Sequence, residues 1–232
     1  MKHKAILKHS FLILGLFVLL MFGCIKKERS TNKASGTLTD INGNIYHTVT
    51  IGTQVWTVEN LKTTKFRNGD SVPNVTGVSQ WSFSTTNGWC YYDNNKDNAS
   101  IYGRLYNWFA ITDSRNIAPS GWHVPTDTDW QKLIDYIGGK ETAGGKLKET
   151  DTIHWESPNR NATNAYGFTA LPGGGRTDYG NFNAIRTAGG WWSSTAYDST
   201  GAWQWSIYNS GGYGTRYPVA KCAGLSVRLV MD

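Results

Sequence analysis

The chain has few of the residues that enzymes and metal proteins gather into clusters. It holds three cysteines in 232 residues. None forms a Cys-x-x-Cys pair or a Cys–His spacing, which argues against a zinc site. Of the histidines, His3 and His9 sit at the extreme N-terminus, while His47, His123 and His154 stand apart from any nucleophile with an orienting acid. No nucleophilic catalytic set is therefore legible, and the chain reads as non-enzymatic. His123, beside Trp122 and just before a helix signal, reads as a structural hydrogen-bonder. The "GGGR" after Pro172 lacks the Lys-Ser/Thr of a phosphate loop and reads as a tight turn using glycine for positive φ. No basic run with interleaved aromatics appears, which argues against nucleic acid. No internal repeat is evident.

Long apolar runs are also missing. The longest, Phe11 to Phe22, is about twelve residues, too short to span a bilayer and right for the core of a signal peptide. Lys2, Lys4 and Lys8 form the basic region before it, and "LMFGC" ends it. Gly23 before Cys24 resembles a bacterial lipoprotein box. Residues 1–23 are then a signal peptide, and Cys24 is the lipidated first residue of the mature protein. The alternative is an uncleaved membrane anchor with an incidental cysteine. Either places the protein in the cell envelope; the lipoprotein reading favours the outer membrane. The full chain carries 23 basic and 17 acidic residues, formally +6. Without the three leader lysines the count is 20 against 17, roughly +3, too small a balance to imply a polyanionic partner. Residues 24–36 are polar and aperiodic and read as a flexible tether. In an exported protein Cys90 and Cys222 are either a disulfide or two unpaired buried thiols.

Residues 37–232 read as one domain, long enough for a sizeable core. Tyr46–Ile51 and Gln54–Glu59 form a hairpin pattern. A short helix is expected over 104–112. A better-marked one starts at Thr126, with Asp129 three residues on as a capping-box partner, and ends at Gly138-Gly139. Trp130, Leu133, Ile134 and Ile137 form its apolar stripe. Short strands are expected at Gly167–Ala170, Trp191–Ser194, Gln204–Tyr208 and Leu225–Val230. The class is α+β: two helices, a small twisted antiparallel sheet and a loop-rich C-terminal half.

What the chain has in abundance is aromatic side chains near its C-terminus. Trp203, Trp205, Tyr208, Tyr213 and Tyr217 crowd together among Gly, Ser, Asn and Thr. Such residues supply stiff contact area and adaptable hydrogen bonding, as in a paratope or a sugar-stacking face. They also fill cores. Alternation places Trp203, Trp205 and Ile207 on one face of a strand and Gln204, Ser206 and Tyr208 on the other. Trp203 and Ile207 are expected inside with Trp191 or Trp192, and Tyr208 to Tyr217 as an exposed loop. The contact residues expected from this are Trp205, Tyr208, Asn209, Tyr213, Arg216 and Tyr217. A weaker candidate is a calcium site at Asp93, Asn95 and Asp97, whose spacing starts like a calcium loop but lacks its glycine and closing acid. A polar surface turn is the alternative there, and no other metal or cofactor is expected.

Four motifs in order, "GWHVPTDTDW", "GFTALPGGGR", "WWSSTAYD" and "GLSVRLV", resemble the Fibrobacter succinogenes major paralogous domain of exported and lipid-anchored bacterial proteins. The resemblance runs from about Gly36 to Asp232. It is similar, more distantly, to the C-type-lectin-like fold of the formylglycine-generating-enzyme superfamily. It implies a mixed α+β domain with two helices, a twisted antiparallel core and neighbouring termini. Sulfatase-modifying relatives hold copper with paired late cysteines. This chain has only Cys222 there, so that activity is not implied. Variable proteins of diversity-generating retroelements share the fold and bind ligands just before the last strand. The expectation is therefore a lipoprotein that binds an extracellular protein or glycan. The alternative is a structural envelope or filament-associated component, which a large exposed apolar patch elsewhere would favour.

Overall fold

The computed structural model describes residues 34–232; the expected signal peptide, Cys24 and most of the expected tether lie outside them. Ala34–Gly36, assigned above to the tether, already belong to the first strand, where Ala34 pairs with Val49 and Gly36 with Thr48. One sheet contains β1 (Ala34–Thr39), β2 (Ile45–Ile51), β3 (Gln54–Thr57), β6 (Trp122–His123) and β12 (Val230–Met231). Its order is β1-β2-β3-β12-β6, so the first and last strands share it. A second contains β7 (Gly173–Arg176), β8 (Phe182–Ile185), β9 (Ala188–Ala196), β10 (Gly201–Tyr208) and β11 (Gly214–Ala220). Its order is β11-β10-β9-β7-β8. A ribbon pairs β4 (Trp89–Cys90) with β5 (Leu105–Tyr106). The helices are short: α1 (Val78–Trp81), α2 (Asp97–Tyr102), α3 (Trp108–Ile111), α4 (Asp127–Tyr136) and α5 (Lys140–Leu147). The fold is thus mostly antiparallel β with a few helices, compatible with α+β but with more sheet than expected.

Local sequence explains the elements it marked well. The β2–β3 hairpin turns at Gly52, whose φ is 63°. In α4, Thr126 Oγ1 accepts from the Asp129 N–H, and Asp129 Oδ2 accepts from the Thr126 N–H at 3.0 Å, the expected capping box. Burial pushes the Asp129 carboxyl up, but the Thr126 bonds and His123 outweigh it and hold it below its ordinary value. Trp130, Leu133 and Ile134 are buried, and Gly138 and Gly139 take positive φ where the helix stops.

Other elements departed from expectation. The first helix is confined to Trp108–Ile111, because the Asn107 side chain caps it by accepting from Ala110 N–H; Leu105 and Tyr106 are strand instead. "GGGR" is strand β7, although Gly174 keeps the positive φ, 61°. Gly167–Ala170 contributes a single bridge, Ala170 to Lys148, and Leu225 and Ser226 only isolated bridges. Helix α5 was not anticipated. Its glycines allow close approach: a Cβ on Gly144 would lie 2.4 Å from Tyr213 O, and one on Gly145 2.4 Å from Asn161 O.

Side chains of the second sheet alternate between two cores. Trp191, Trp205 and Ile207 join Trp56, Trp130, Trp155 and Phe168 beneath α4 and α5. Trp192 and Ala202 join Tyr46, Tyr106, Leu225 and Val227 on the other side.

Three buried cations hold segments together through backbone carbonyls. Lys148 Nζ donates to the carbonyls of Arg160, Tyr208 and Gly211 at 2.8, 2.9 and 2.9 Å. It thereby anchors the turn that follows β10. Burial pushes its ammonium down to about 8. A Lys148→Met chain is expected to lose roughly 3 kcal/mol, since three acceptors are orphaned at about 1–3 kcal/mol each with partial relaxation. Urea unfolding measures this. A loss below about 1 kcal/mol would show that water replaces the ammonium without cost.

Candidate functional site

The expected contact residues lie on or beside the β10–β11 hairpin, and the pleat divides them. Gln204 pairs with Tyr217, Trp205 with Arg216 and Ser206 with Thr215. Directly opposed residues share a face, so Trp205 and Arg216 point one way and Gln204, Ser206, Tyr208 and Tyr217 the other. The six residues therefore do not form one surface. The stretch from 208 to 217 is also not a long loop: only residues 209–213 turn between the strands.

On the helix side, Trp205 is 5% exposed and packs in the core. It is not a free contact residue. Arg216 is exposed but already bound. Its Nε and Nη2 donate to the Asp127 carboxylate at 2.6 and 2.7 Å, and its Cζ lies 3.3 Å from the Trp203 ring centroid. Trp203, expected inside, is only half-buried beneath it. Asn209 is spent on the fold. Its Nδ2 donates to Glu156 O at 3.2 Å and its carbonyl accepts from Arg160 N–H. Tyr213 stands exposed in the turn. A shallow concavity of about 540 Å³ runs here between the helices and β11. Trp205 forms part of it with Nε1 unpartnered, but its charged rim consists of exposed chains such as Lys140 and Glu141, 3.9 Å apart.

The opposite face carries a second concavity, lined by more amide and hydroxyl side chains. A concavity of about 400 Å³ opens over β10 and β11, within the range of small-ligand pockets. Gly190, Gln204 and Ser206 contribute to its lining from β9 and β10, and Gly174 and Gly175 from β7. Gly174 must be glycine: a Cβ there would lie 2.4 Å from Asn183 O. β8 therefore closes tightly on β7, and this wall is largely bare backbone. Tyr208 and Tyr217 line the cavity with their hydroxyls 3.2 Å apart. Burial, then the bond to Tyr217, raises the Tyr208 phenol above its ordinary value, so it stays a neutral donor and acceptor near pH 7.

Gln204 is the decisive residue. It is 3% exposed, lines the cavity, and its Oε1 is buried with no hydrogen-bond partner. Such an acceptor costs about 1–3 kcal/mol when left unmet. Arg176 belongs to the wall, but its guanidinium is committed elsewhere. It donates to the carbonyls of Val75, Thr76 and Gly180 and lies over the Trp81 and Phe182 rings. The site thus offers amide, hydroxyl and backbone groups with one carboxylate, Asp178. Gln204 and Ser206 were missed as site residues, although the period-2 alternation had already separated their face from that of Trp205.

Cys90 and Cys222 are unpaired and buried, the second of the two alternatives, and the possible disulfide between them is not formed. Cys90 packs with Trp81 and Leu105, and burial pushes its thiol up to about 12. Cys222 lies in the turn after β11, its thiol also raised by burial. Asp93, Asn95 and Asp97 are exposed, and Asn95 Oδ1 is used to accept from the Asp97 N–H at 3.0 Å. Among the described residues no three His, Cys, Asp or Glu side chains converge. His123 bridges Asp232 and Asp129 at 2.6 and 3.1 Å, tying the C-terminus to the start of α4.

The motif arginines are structural too. Arg228 of "GLSVR" is 1% exposed and donates to Asn60 Oδ1 and to the carbonyls of Thr57, Val58, Phe168 and Thr169. A family model described as the Fibrobacter succinogenes major domain matches residues 49–231. The chain belongs to that family. The match covers the whole second sheet and the first from the end of β2 onward, so Arg228, Arg176 and the cavity all lie within the major domain. Comparison with curated proteins and with solved structures yields no match.

Proposed function

We propose that this major-domain chain is the binding part of an exported, lipid-anchored envelope protein, and that it takes an extracellular ligand in the concavity between β7–β8 and β10–β11. The observation that carries the reading is Gln204 Oε1, a buried oxygen beside that cavity without a hydrogen-bond partner, since an unmet acceptor costs about 1–3 kcal/mol that a ligand donor would recover. The domain is non-enzymatic in this reading: the cavity wall holds one carboxylate and no convergent acid/base pair. A C-type-lectin-like ancestry is compatible with it, and so is diversification just before the last strand, as in retroelement variable proteins. Anchorage at the outer membrane rests on the leader and Cys24.

The two faces of the hairpin give the test. The purified full chain is applied to arrays of immobilised peptides and glycans. Tyr217→Ala, on the cavity side, is expected to weaken any captured ligand about tenfold. Arg216→Ala, on the helix side, is expected to leave capture unchanged. The reverse pattern would place the site over α4 and α5 and sink this reading.

One observation favours a second reading, assembly within the envelope: Val78, Phe83 and Tyr179 are all large and exposed outside the C-terminal segment.

A further inference from the structure

An exposed aromatic pair adjoins Asp178, a residue of the concavity wall. Phe83 and Tyr179 are 65% and 62% exposed and meet edge to face with centroids 5.4 Å apart. The Phe83 N–H donates to the Asp178 carbonyl, and Asp178 is part of the cavity wall. Phe83 also holds a φ of 55°, a left-handed conformation that costs a non-glycine residue about 1–2 kcal/mol. Burial does not offset that cost, because the ring lies in solvent. Strain of this kind concentrates where a side chain must be aimed.

We propose that the ligand is an uncharged saccharide chain, with one ring in the concavity and the next against Phe83 and Tyr179. This rests on the cavity being the binding site. Sugar hydroxyls both donate and accept, which suits a carboxamide, a serine hydroxyl and two phenols. The C–H face of a sugar ring is apolar and suits an exposed aromatic surface. An anionic ligand is disfavoured, because the wall's guanidinium is engaged elsewhere and Asp178 is acidic. Addition of an extended peptide at the β11 edge of the second sheet is disfavoured as well, because Pro218 within that strand blunts pairing.

The experiment is calorimetric titration of the purified full chain with oligomers of one to four glucose, mannose or xylose units, and with oligogalacturonate as the acidic counterpart. At least one neutral series is expected to bind, with the dimer about tenfold tighter than the monomer. The double change Phe83→Ala and Tyr179→Ala is expected to remove that gain and leave monomer binding intact. Phe83→Gly, which relieves the positive φ, serves as the variant least prone to unfold and should reproduce part of the loss. If oligogalacturonate binds as well as every neutral series, or no saccharide binds, the proposal fails. Peptide capture that Tyr217→Ala abolishes would then keep the cavity as a site while removing the saccharide. If the aromatic changes instead abolish self-association seen by light scattering, the pair is a chain–chain contact and the two-ring arrangement is wrong.

Discussion

An Arg228→Met chain is expected to lose about 4 kcal/mol of stability or more. The guanidinium is buried, and burial pushes its pKa down to about 9 against the opposing pull of the Glu59 carboxylate. Five oxygens surround it: Asn60 Oδ1 and the carbonyls of Thr57, Val58, Phe168 and Thr169. Asn60 Oδ1 also accepts from Trp191 Nε1 at 2.8 Å. The cation therefore joins the end of β3, the segment before β7 and the middle of β9. Replacing a buried ionic pair by apolar groups can be neutral when both partners go. Here the oxygens remain, and methionine fills the volume without supplying a donor. At about 2–4 °C per kcal/mol for a domain of this size, the melting temperature should fall by roughly 8–16 °C. Scanning calorimetry measures it. A fall of less than about 3 °C would mean that water satisfies the carbonyls and that Arg228 is not the staple described.

A Gln204→Leu chain is expected to do the opposite to stability and to lose binding. Leucine removes an acceptor that has no partner, so the folded state should be unchanged or more stable by up to about 1 kcal/mol. On the proposed function, ligand affinity should fall at least about tenfold, since that proposal gives the carboxamide the role of orienting the ligand. The combination matters more than either half. A residue kept for packing would lose stability when changed, and a residue of no consequence would move neither quantity. A clear loss of stability with unaltered binding would show that Gln204 belongs to the core.

Legibility followed the range of the determining interaction. The β2–β3 hairpin and the capped start of α4 are set by neighbours within a few residues, and the sequence patterns named them. Helix α5 and strand β7 depend on glycines whose function is close approach to distant backbone, at Tyr213 O and Asn183 O. Nothing local marks such a contact. Composition pointed to the aromatic-rich C-terminus as the region for a site, but could not say which face of the hairpin was covered. Trp205 went to the core because α4 and α5 pack on its side. Tyr208 and Tyr217 stayed free because the opposite cover stops short. The alternation through Gln204, Ser206 and Tyr208 held the answer, and only tertiary packing reveals which of two alternating faces is open.

The most direct test is nuclear magnetic resonance mapping of backbone amides in the purified chain as a neutral oligosaccharide from the titration panel is added. The shifts should concentrate on residues 174–178, 188–190, 204–208 and 217–220, around the cavity. Shifts confined to residues 131–141 and 213–216, or none at saturating saccharide, would contradict the assignment of this face as the binding site.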